Sequence, residues 1–255
     1  MLLVMDVGNT NTVLGVYDGS RLVAHWRLRT VRARTVDEYG ILGRNLLTLA
    51  GIEVSAIEGL IVACVVPPLN GVLERMARAY FGRRPLFVEP GMKTGMPVLY
   101  DNPQEVGADR IVNGVAAYER FRSAVIVVDF GTATTFDAIS ARGEYLGGSI
   151  APGLTVSSEA LFERAARLPR VDIRRPARVI GRNTVQSLQS GLVFGYLGLV
   201  RGILDDMRRE LEPPVRTIGT GGVLEPLEEE LGAILDVVDP NLTLEGLRIL
   251  FERNR

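Results

Sequence analysis

An apolar run ending in Asp-x-Gly occurs twice in this chain. Leu2-Leu3-Val4-Met5-Asp6-Val7-Gly8 leads into Asn9-Thr10-Asn11-Thr12, and Val125-Ile126-Val127-Val128-Asp129-Phe130-Gly131 leads into Thr132-Ala133-Thr134-Thr135. More β-prone sequence follows in each, from Val13 to Tyr17 and from Phe136 to Ile139. An apolar strand, a tight turn at glycine and a returning strand describe a β-hairpin whose turn carries polar groups. Asp6 and Asp129 stand 123 residues apart in a chain of 255. A repeat at nearly half-length predicts a duplicated domain, with halves over residues 1–115 and 116–255. A carboxylate that closes an apolar strand is costly unless it is hydrogen-bonded, paired or holding a cation. Each aspartate therefore either caps its own turn or faces a ligand. Gly8 and Gly131 let backbone approach such a ligand. Amides and hydroxyls from Asn9, Thr10, Asn11 and Thr12, and from Thr132 in the second half, suit phosphate oxygens.

Between and after the hairpins the pattern is that of an α/β protein. Helical spacing runs over 37–50 through Tyr39, Ile41, Leu42, Leu46 and Leu49, over 69–81, and over 108–121. Strands are expected over 59–66, ended by Pro67-Pro68, and over 85–89. Residues 183–211 predict one long helix stopped at Pro213-Pro214. Then come a strand at 215–219, a helix at 223–231, a strand at 233–238 and a terminal helix at 243–253. Strands alternating with helices imply a largely parallel sheet covered by helices.

Composition matters here chiefly for what it removes. Cys64 is the only cysteine, His25 the only histidine and Lys93 the only lysine. An intrachain disulfide is impossible, and a Cys/His zinc site is almost excluded. His25 sits in the strand-like Leu22-Val23-Ala24-His25-Trp26-Arg27-Leu28, and Cys64 in an apolar run suited to a buried sheet. Lys93 follows Met92 rather than glycine, so there is no P-loop, and no G-x-G-x-x-G opens a helix. The formal net charge of −1 offers no basic field for nucleic acid. The opening run reaches Asp6 too soon for a signal-peptide core, and Leu192 to Leu204 is interrupted by Arg201. The expectation is a cytoplasmic protein with no membrane span, using carboxylates, hydroxyls, backbone amides and a borrowed metal.

Three further segments are candidates for that chemistry. Gly107-Ala108-Asp109-Arg110 opens a predicted helix, where Asp109 either complements the helix dipole or receives the proton of an attacking hydroxyl. Ile218-Gly219-Thr220-Gly221-Gly222 is either a tight β-to-α turn or a close approach to adenosine. Gly191, Gly195, Gly198 and Gly202 recur along the long helix, each at a cost of ~1 kcal/mol relative to alanine. A compensating contact is expected there, within the chain or with a second copy of it.

These residues resemble the type III pantothenate kinase family, within the sugar kinase, hsp70 and actin superfamily, over essentially the whole chain. The resemblance rests on Asp6-Val7-Gly8-Asn9-Thr10-Asn11-Thr12, Tyr100-Asp101-Asn102-Pro103, Glu105-Val106-Gly107-Ala108-Asp109-Arg110 and Asp129-Phe130-Gly131-Thr132-Ala133-Thr134-Thr135. Gly147-Gly148-Ser149-Ile150-Ala151-Pro152-Gly153 and Gly181-Arg182-Asn183-Thr184 complete it. It implies two actin-like (ribonuclease H-like) ATPase domains with a cleft between them, in a homodimer. It implies transfer of the ATP γ-phosphate to the primary hydroxyl of pantothenate, the first step of coenzyme A biosynthesis. Asp6, Val7, Gly8, Asn9, Thr10, Asn11, Thr12 and Val13, with Thr132, would hold ATP. Tyr100, Gly107, Ala108, Asp109, Arg110 and Thr184 would contact pantothenate, with Asp109 as catalytic base. Asp129 would bind a monovalent cation, potassium or ammonium, beside Mg²⁺ and ATP. Two alternatives fit the local phosphate motifs. One is a superfamily enzyme with another acceptor; the other is a non-catalytic accessory factor to transcription.

Overall fold

The computed structural model describes residues 1–222 and 227–255. Each predicted hairpin forms and seeds its own five-stranded sheet. In the first, β1 (Leu2–Val7), β2 (Asn11–Asp18), β3 (Arg21–Arg29), β4 (Gly59–Cys64) and β5 (Leu86–Phe87) lie in the order β3-β2-β1-β4-β5. In the second, β6 (Ala124–Phe130), β7 (Ala133–Ile139), β8 (Tyr145–Pro152), β9 (Val215–Gly221) and β10 (Val237–Val238) lie in the order β10-β9-β6-β7-β8. The two orders are the same list read in opposite directions, so the duplication spans whole sheets. Each sheet is mixed rather than largely parallel. The hairpin and its third strand pair antiparallel, while the fourth and fifth strands add parallel beside the first. The physical reason is the short turn, which can only return the chain antiparallel.

The helices are α1 (Val36–Leu49), α2 (Asn70–Phe81), α3 (Ala108–Phe121), α4 (Leu154–Arg164), α5 (Thr184–Glu210), α6 (Glu228–Gly232) and α7 (Leu242–Asn254). Helix α1 begins at a full capping box, Thr35 and Glu38 each satisfying the other's backbone N–H. Its buried face is Tyr39, Gly40, Gly43 and Leu47; of the expected stripe Tyr39 is buried and Leu42 and Leu46 half-buried, but Ile41 and Leu49 are exposed. Two glycines decide this. A Cβ on Gly40 would lie 2.2 Å from the Tyr80 ring, and one on Gly43 3.1 Å from Phe81. The face without side chains is the face that α2 can approach. Strand β8 and helix α4 were not anticipated, and the predicted helix at 223–231 falls partly outside the described residues.

Two compact units result. The first holds Met1–Gly95, Asn102–Ala116 and Thr243–Arg255, and the second Met96–Asp101 and Ala117–Leu242. The predicted halves placed 243–255 with the second domain, whereas α7 packs in the first. Its Phe251 ring sits where a Cβ on Gly59 would be, 2.2 Å away, and Gly246 lies against Val112 of α3. The first core lies between one face of its sheet (Leu3, Met5, Val7, Leu14, Val16) and helices α1 and α2. The second joins Ile126, Val128, Phe130 and Phe136 to Leu192, Val193, Tyr196, Val200 and Leu204 of α5. Helix α5 is long and apolar enough to cross a membrane by those two measures alone. Its apolar face is nevertheless spent on that core.

Candidate active site

The two hairpin turns carry the predicted phosphate ligands, and each is best read by itself. In the first unit Val7 pairs with Thr12, leaving Gly8-Asn9-Thr10-Asn11 as the turn. The Gly8 N–H donates to the Asn11 carbonyl at 2.9 Å. Asn9 and Thr10 are exposed at the tip, Asp6, Gly8 and Asn11 are half-buried, and Thr12 is fully buried. The Thr12 hydroxyl is bonded to that of Thr30 at 2.8 Å, so it faces the core and not a ligand. Strand alternation could have shown this, because Thr12, Leu14 and Val16 share one face of β2. Neither Gly8 nor Gly131 has a positive φ. They serve by bareness, a Cβ on Gly8 falling 3.1 Å from the Asn11 carbonyl oxygen.

In the second unit Phe130 pairs with Thr134, leaving Gly131-Thr132-Ala133, a turn one residue shorter. The Gly131 N–H donates to the Ala133 carbonyl at 3.1 Å, and Thr132 stands exposed at the tip. Thr134 occupies the place of Thr12. It too is fully buried, its hydroxyl 2.6 Å from that of Tyr196. Burial drives the Tyr196 phenol up to about 12, and the nearby Asp129 carboxylate pushes the same way, while the Thr134 bond opposes both. Tyr196 therefore stays a neutral hydroxyl at any working pH.

Asp129 is half-buried, next to last in β6 and in register with Thr220 of β9. Thr220 is 1% exposed, and its Oγ1 has no hydrogen-bond partner. The backbone of Gly221 passes so close that a Cβ would lie 2.6 Å from Asp129 Oδ1, at a φ of 106° that disfavours any other residue. A carboxylate, an unspent buried hydroxyl and bare backbone make an oxygen-lined corner that fits a monovalent cation. Among the described residues no group of three His, Cys, Asp or Glu side chains is placed to hold a metal. A divalent ion would therefore be held largely by phosphate oxygens, as suits magnesium with a nucleotide. Gly219, by contrast, packs under Leu235 and Phe130 and is structural.

Of the residues expected to contact the acceptor, some lie in each unit and are described there. In the first, Gly107 precedes α3, and Asp109 lies in its first turn. Asp109 Oδ1 accepts the Arg110 backbone N–H at 2.9 Å, and Arg110 is 8% exposed. A Cβ on Gly107 would lie 2.5 Å from that same Oδ1, so glycine is required for the carboxyl to fold back there. Burial pushes the Asp109 pKa above the usual carboxylate range, with the Arg110 N–H and guanidinium acting against it. In the second unit the Tyr100 ring packs on Tyr145, centroids 6.3 Å apart, and beside Gly147, which has no side chain to displace it. Tyr145 is fully buried and donates to Asp137 at 2.8 Å. Thr184 is exposed as the first residue of α5, whose N-cap Asn183 accepts from the Gln186 N–H at 2.9 Å.

Two residues that drew attention in the sequence play no such part. His25 is exposed on β3. Cys64 donates to the Val66 carbonyl, and burial, with Asp6 adding to it, pushes its thiol up and so away from reactivity. On α5, a Cβ at Gly191, Gly195, Gly198 or Gly202 would meet nothing within 4 Å. Among the described residues, then, no contact compensates these glycines.

Comparison with known proteins bears on the family and the fold. A family profile described as type III pantothenate kinase matches residues 2–206. The chain is 60% identical over 255 residues to the type III pantothenate kinase of Geobacter sulfurreducens, covering all of both. It is 59% identical to that of Myxococcus xanthus, covering 100% of this chain and 99% of the other. Among solved structures, a Baf family transcriptional activator from Campylobacter jejuni aligns over 99% and 98% of the two chains with a TM-score of 0.62 at 19% identity. An inorganic polyphosphate/ATP-glucomannokinase from Arthrobacter sp. strain KM aligns over 100% and 99% with a TM-score of 0.52 at 15% identity. At those identities the two structures speak for the fold alone, an actin-like ATPase fold in duplicate.

Proposed function

The chain belongs to the type III pantothenate kinase family, and from that premise we propose which of its residues do the work. It is a pantothenate kinase, transferring the γ-phosphoryl group of ATP to the primary hydroxyl of pantothenate and so opening coenzyme A biosynthesis. The observation that carries the residue assignment is the Asp109 carboxyl, folded back over Gly107 and lifted in pKa by burial. Phosphoryl transfer asks little of a protein beyond alignment, charge neutralisation and one oriented base. A carboxylate of raised basicity in a helix's first turn meets the last requirement.

In this reading Asp109 takes the proton of the pantothenate hydroxyl as that oxygen attacks phosphorus. Tyr100, Gly107, Ala108, Arg110 and Thr184 position the acceptor. The turn from Asp6 to Val13 and the exposed Thr132 bind ATP phosphates, Thr12 only as part of the strand that carries the turn, because its hydroxyl is spent. Magnesium carried by ATP and potassium or ammonium at Asp129 would supply charge neutralisation, Asp129 and the Thr220 hydroxyl being the protein's oxygens for the monovalent ion. The protein works in the cytoplasm as a homodimer. The bare glycine face of α5 supports self-association, since a second copy is what would fill it.

The test is ADP release from Mg-ATP with and without pantothenate, in potassium and again in sodium. Pantothenate-dependent ADP that needs potassium is the expected result. Release that needs pantothenate but not potassium removes the cation from Asp129, and release with neither dependence removes the acceptor assignment.

A further inference from the structure

Both phosphate turns are fastened from the same place, the residue that leaves the third strand of each sheet. In the first unit that residue is Thr30, directly after β3. Its backbone N–H donates to the Thr10 carbonyl at 2.8 Å, and its hydroxyl lies 2.8 Å from that of Thr12. Two residues on, Arg32 Nη2 reaches Asn9 Oδ1 at 3.3 Å. Thr30 is 9% exposed and Thr12 fully buried, so these bonds form away from water, while Asn9 and Thr10 keep their side chains outward. In the second unit the residue is Gly153, directly after β8, whose N–H donates to the Thr132 carbonyl at 3.1 Å. A Cβ there would lie 2.4 Å from that oxygen, so the contact tolerates only glycine.

We propose that Thr30 is a positioning residue for phosphate binding, holding the Gly8–Asn11 turn in its binding shape before nucleotide arrives. The proposal rests on the reading of that turn as an ATP phosphate site. A turn that offers N–H groups to an anion binds it well only if the turn is already ordered, because ordering on binding subtracts from affinity. Strand β3 is the edge of its sheet, so the turn has no further strand to lean on. Thr30 contributes two bonds from one residue, a backbone donor to the tip and a side-chain tie to the first buried position after it. Both bonds are made to the turn and the residue after it, so Thr30 acts through the turn.

The experiment compares Thr30→Val, which keeps shape and removes the hydroxyl, with Thr30→Ser, which keeps the hydroxyl, and with Asp6→Asn, which alters the turn's own strand end. KM for ATP, KM for pantothenate and the thermal midpoint are measured for each. Loss of one buried hydrogen bond predicts a KM for ATP raised about fivefold to tenfold in Thr30→Val. KM for pantothenate stays as in the parent enzyme, and Thr30→Ser restores KM for ATP. A Thr30→Val enzyme with a lowered midpoint but unchanged KM for ATP overturns the proposal, the threonine then being structural only. If Asp6→Asn raises KM for ATP while Thr30→Val does not, positioning fails and the phosphate site stands. If neither responds, both fail. Hydrogen exchange of the parent protein without nucleotide gives a check independent of any variant. The Thr30 amide is expected to be protected, and rapid exchange there sinks the clamp.

Discussion

The two hairpins of this chain solve one problem with different residues. Each presents a turn beyond an Asp-x-Gly strand end, buries a threonine hydroxyl at the first inward position of the returning strand, and ties the turn from the exit of the third strand. In the first unit Thr30 provides both the backbone tie and the partner for Thr12. In the second the tasks are split, Gly153 making the backbone tie and Tyr196 of α5 meeting Thr134. What has persisted across the duplication is the position of each hydrogen bond, and what has drifted is the side chain that makes it. That is the expected order of constraint. A buried donor or acceptor left unmade costs more than the net gain from making it, so positions must be satisfied whatever the residue.

The halves differ more sharply after their fifth strands, where each chain enters a helix. Helix α3 places Asp109 in its first turn with a pKa lifted by burial. Helix α7 places Glu245 there, and Glu245 is engaged by Arg248. One carboxylate has its pKa lifted by burial, while the other sits in a half-buried ion pair whose Arg248 also holds Glu252. The largest test of this contrast is a pair of isosteric changes. Asp109→Asn should lower kcat by roughly 10²–10⁴ with little change in substrate binding, whereas Glu245→Gln should leave kcat alone. Steady-state kinetics of both variants decides it, and equal effects would erase the distinction.

A smaller effect follows from the same carboxyl through pH. Its folded pKa is raised, so the folded state keeps that proton over a window that opens near the ordinary aspartate value of about 3.9. Within that window the unfolded state binds fewer protons, so this group's contribution to stability falls as pH rises and is lost above the raised value. Activity runs the other way, because a base must be ionised, and kcat should fall as pH drops through the same raised value. The Asp109→Asn protein should therefore be at least as heat-stable as the parent at neutral pH, with a flatter acid limb in its stability profile. Thermal melts across pH check both signs, and a less stable Asn variant would contradict them.

The smallest predicted effect separates inner from outer glycines. Gly40 is filled by Tyr80 from within its own unit, while Gly195 meets nothing among the described residues. Gly195→Ala should weaken self-association about tenfold if another copy packs there, as overpacking of a close contact does. Sedimentation measures this. An unchanged association, with a helix about 1 kcal/mol more stable, would place that face in solvent.

How much of this was legible beforehand depended on the range of the interaction. The hairpins were readable because Asp6-Val7-Gly8 and Asp129-Phe130-Gly131 are local patterns. The fastening of the turns was not, since Thr30 and Gly153 reach back to residues far upstream in sequence, where no local pattern announces the bond. Strand β8 hides behind Gly147-Gly148-Ser149 and Pro152, residues that read as turn. The face of α1 was only partly placed, with Ile41 and Leu49 exposed, because hydrophobicity marks what a helix can bury, whereas Gly40 and Gly43 mark how close its neighbour comes. Asp109 could be named a candidate from its place at a helix start, but its raised basicity depends on packing that only the fold supplies.

The return of α7 to the first unit sets an order on synthesis. Residues 243–255 leave the ribosome after the whole of the second unit, yet Leu244 fills the space beside Gly15 and Phe251 the space beside Gly59. Until then the back of the first sheet is an uncovered apolar surface, the kind that chaperones bind and that nascent chains aggregate through. The half that begins first is thus the half that finishes last. A stop anywhere before Thr243 would leave Asp109 on an unfinished scaffold.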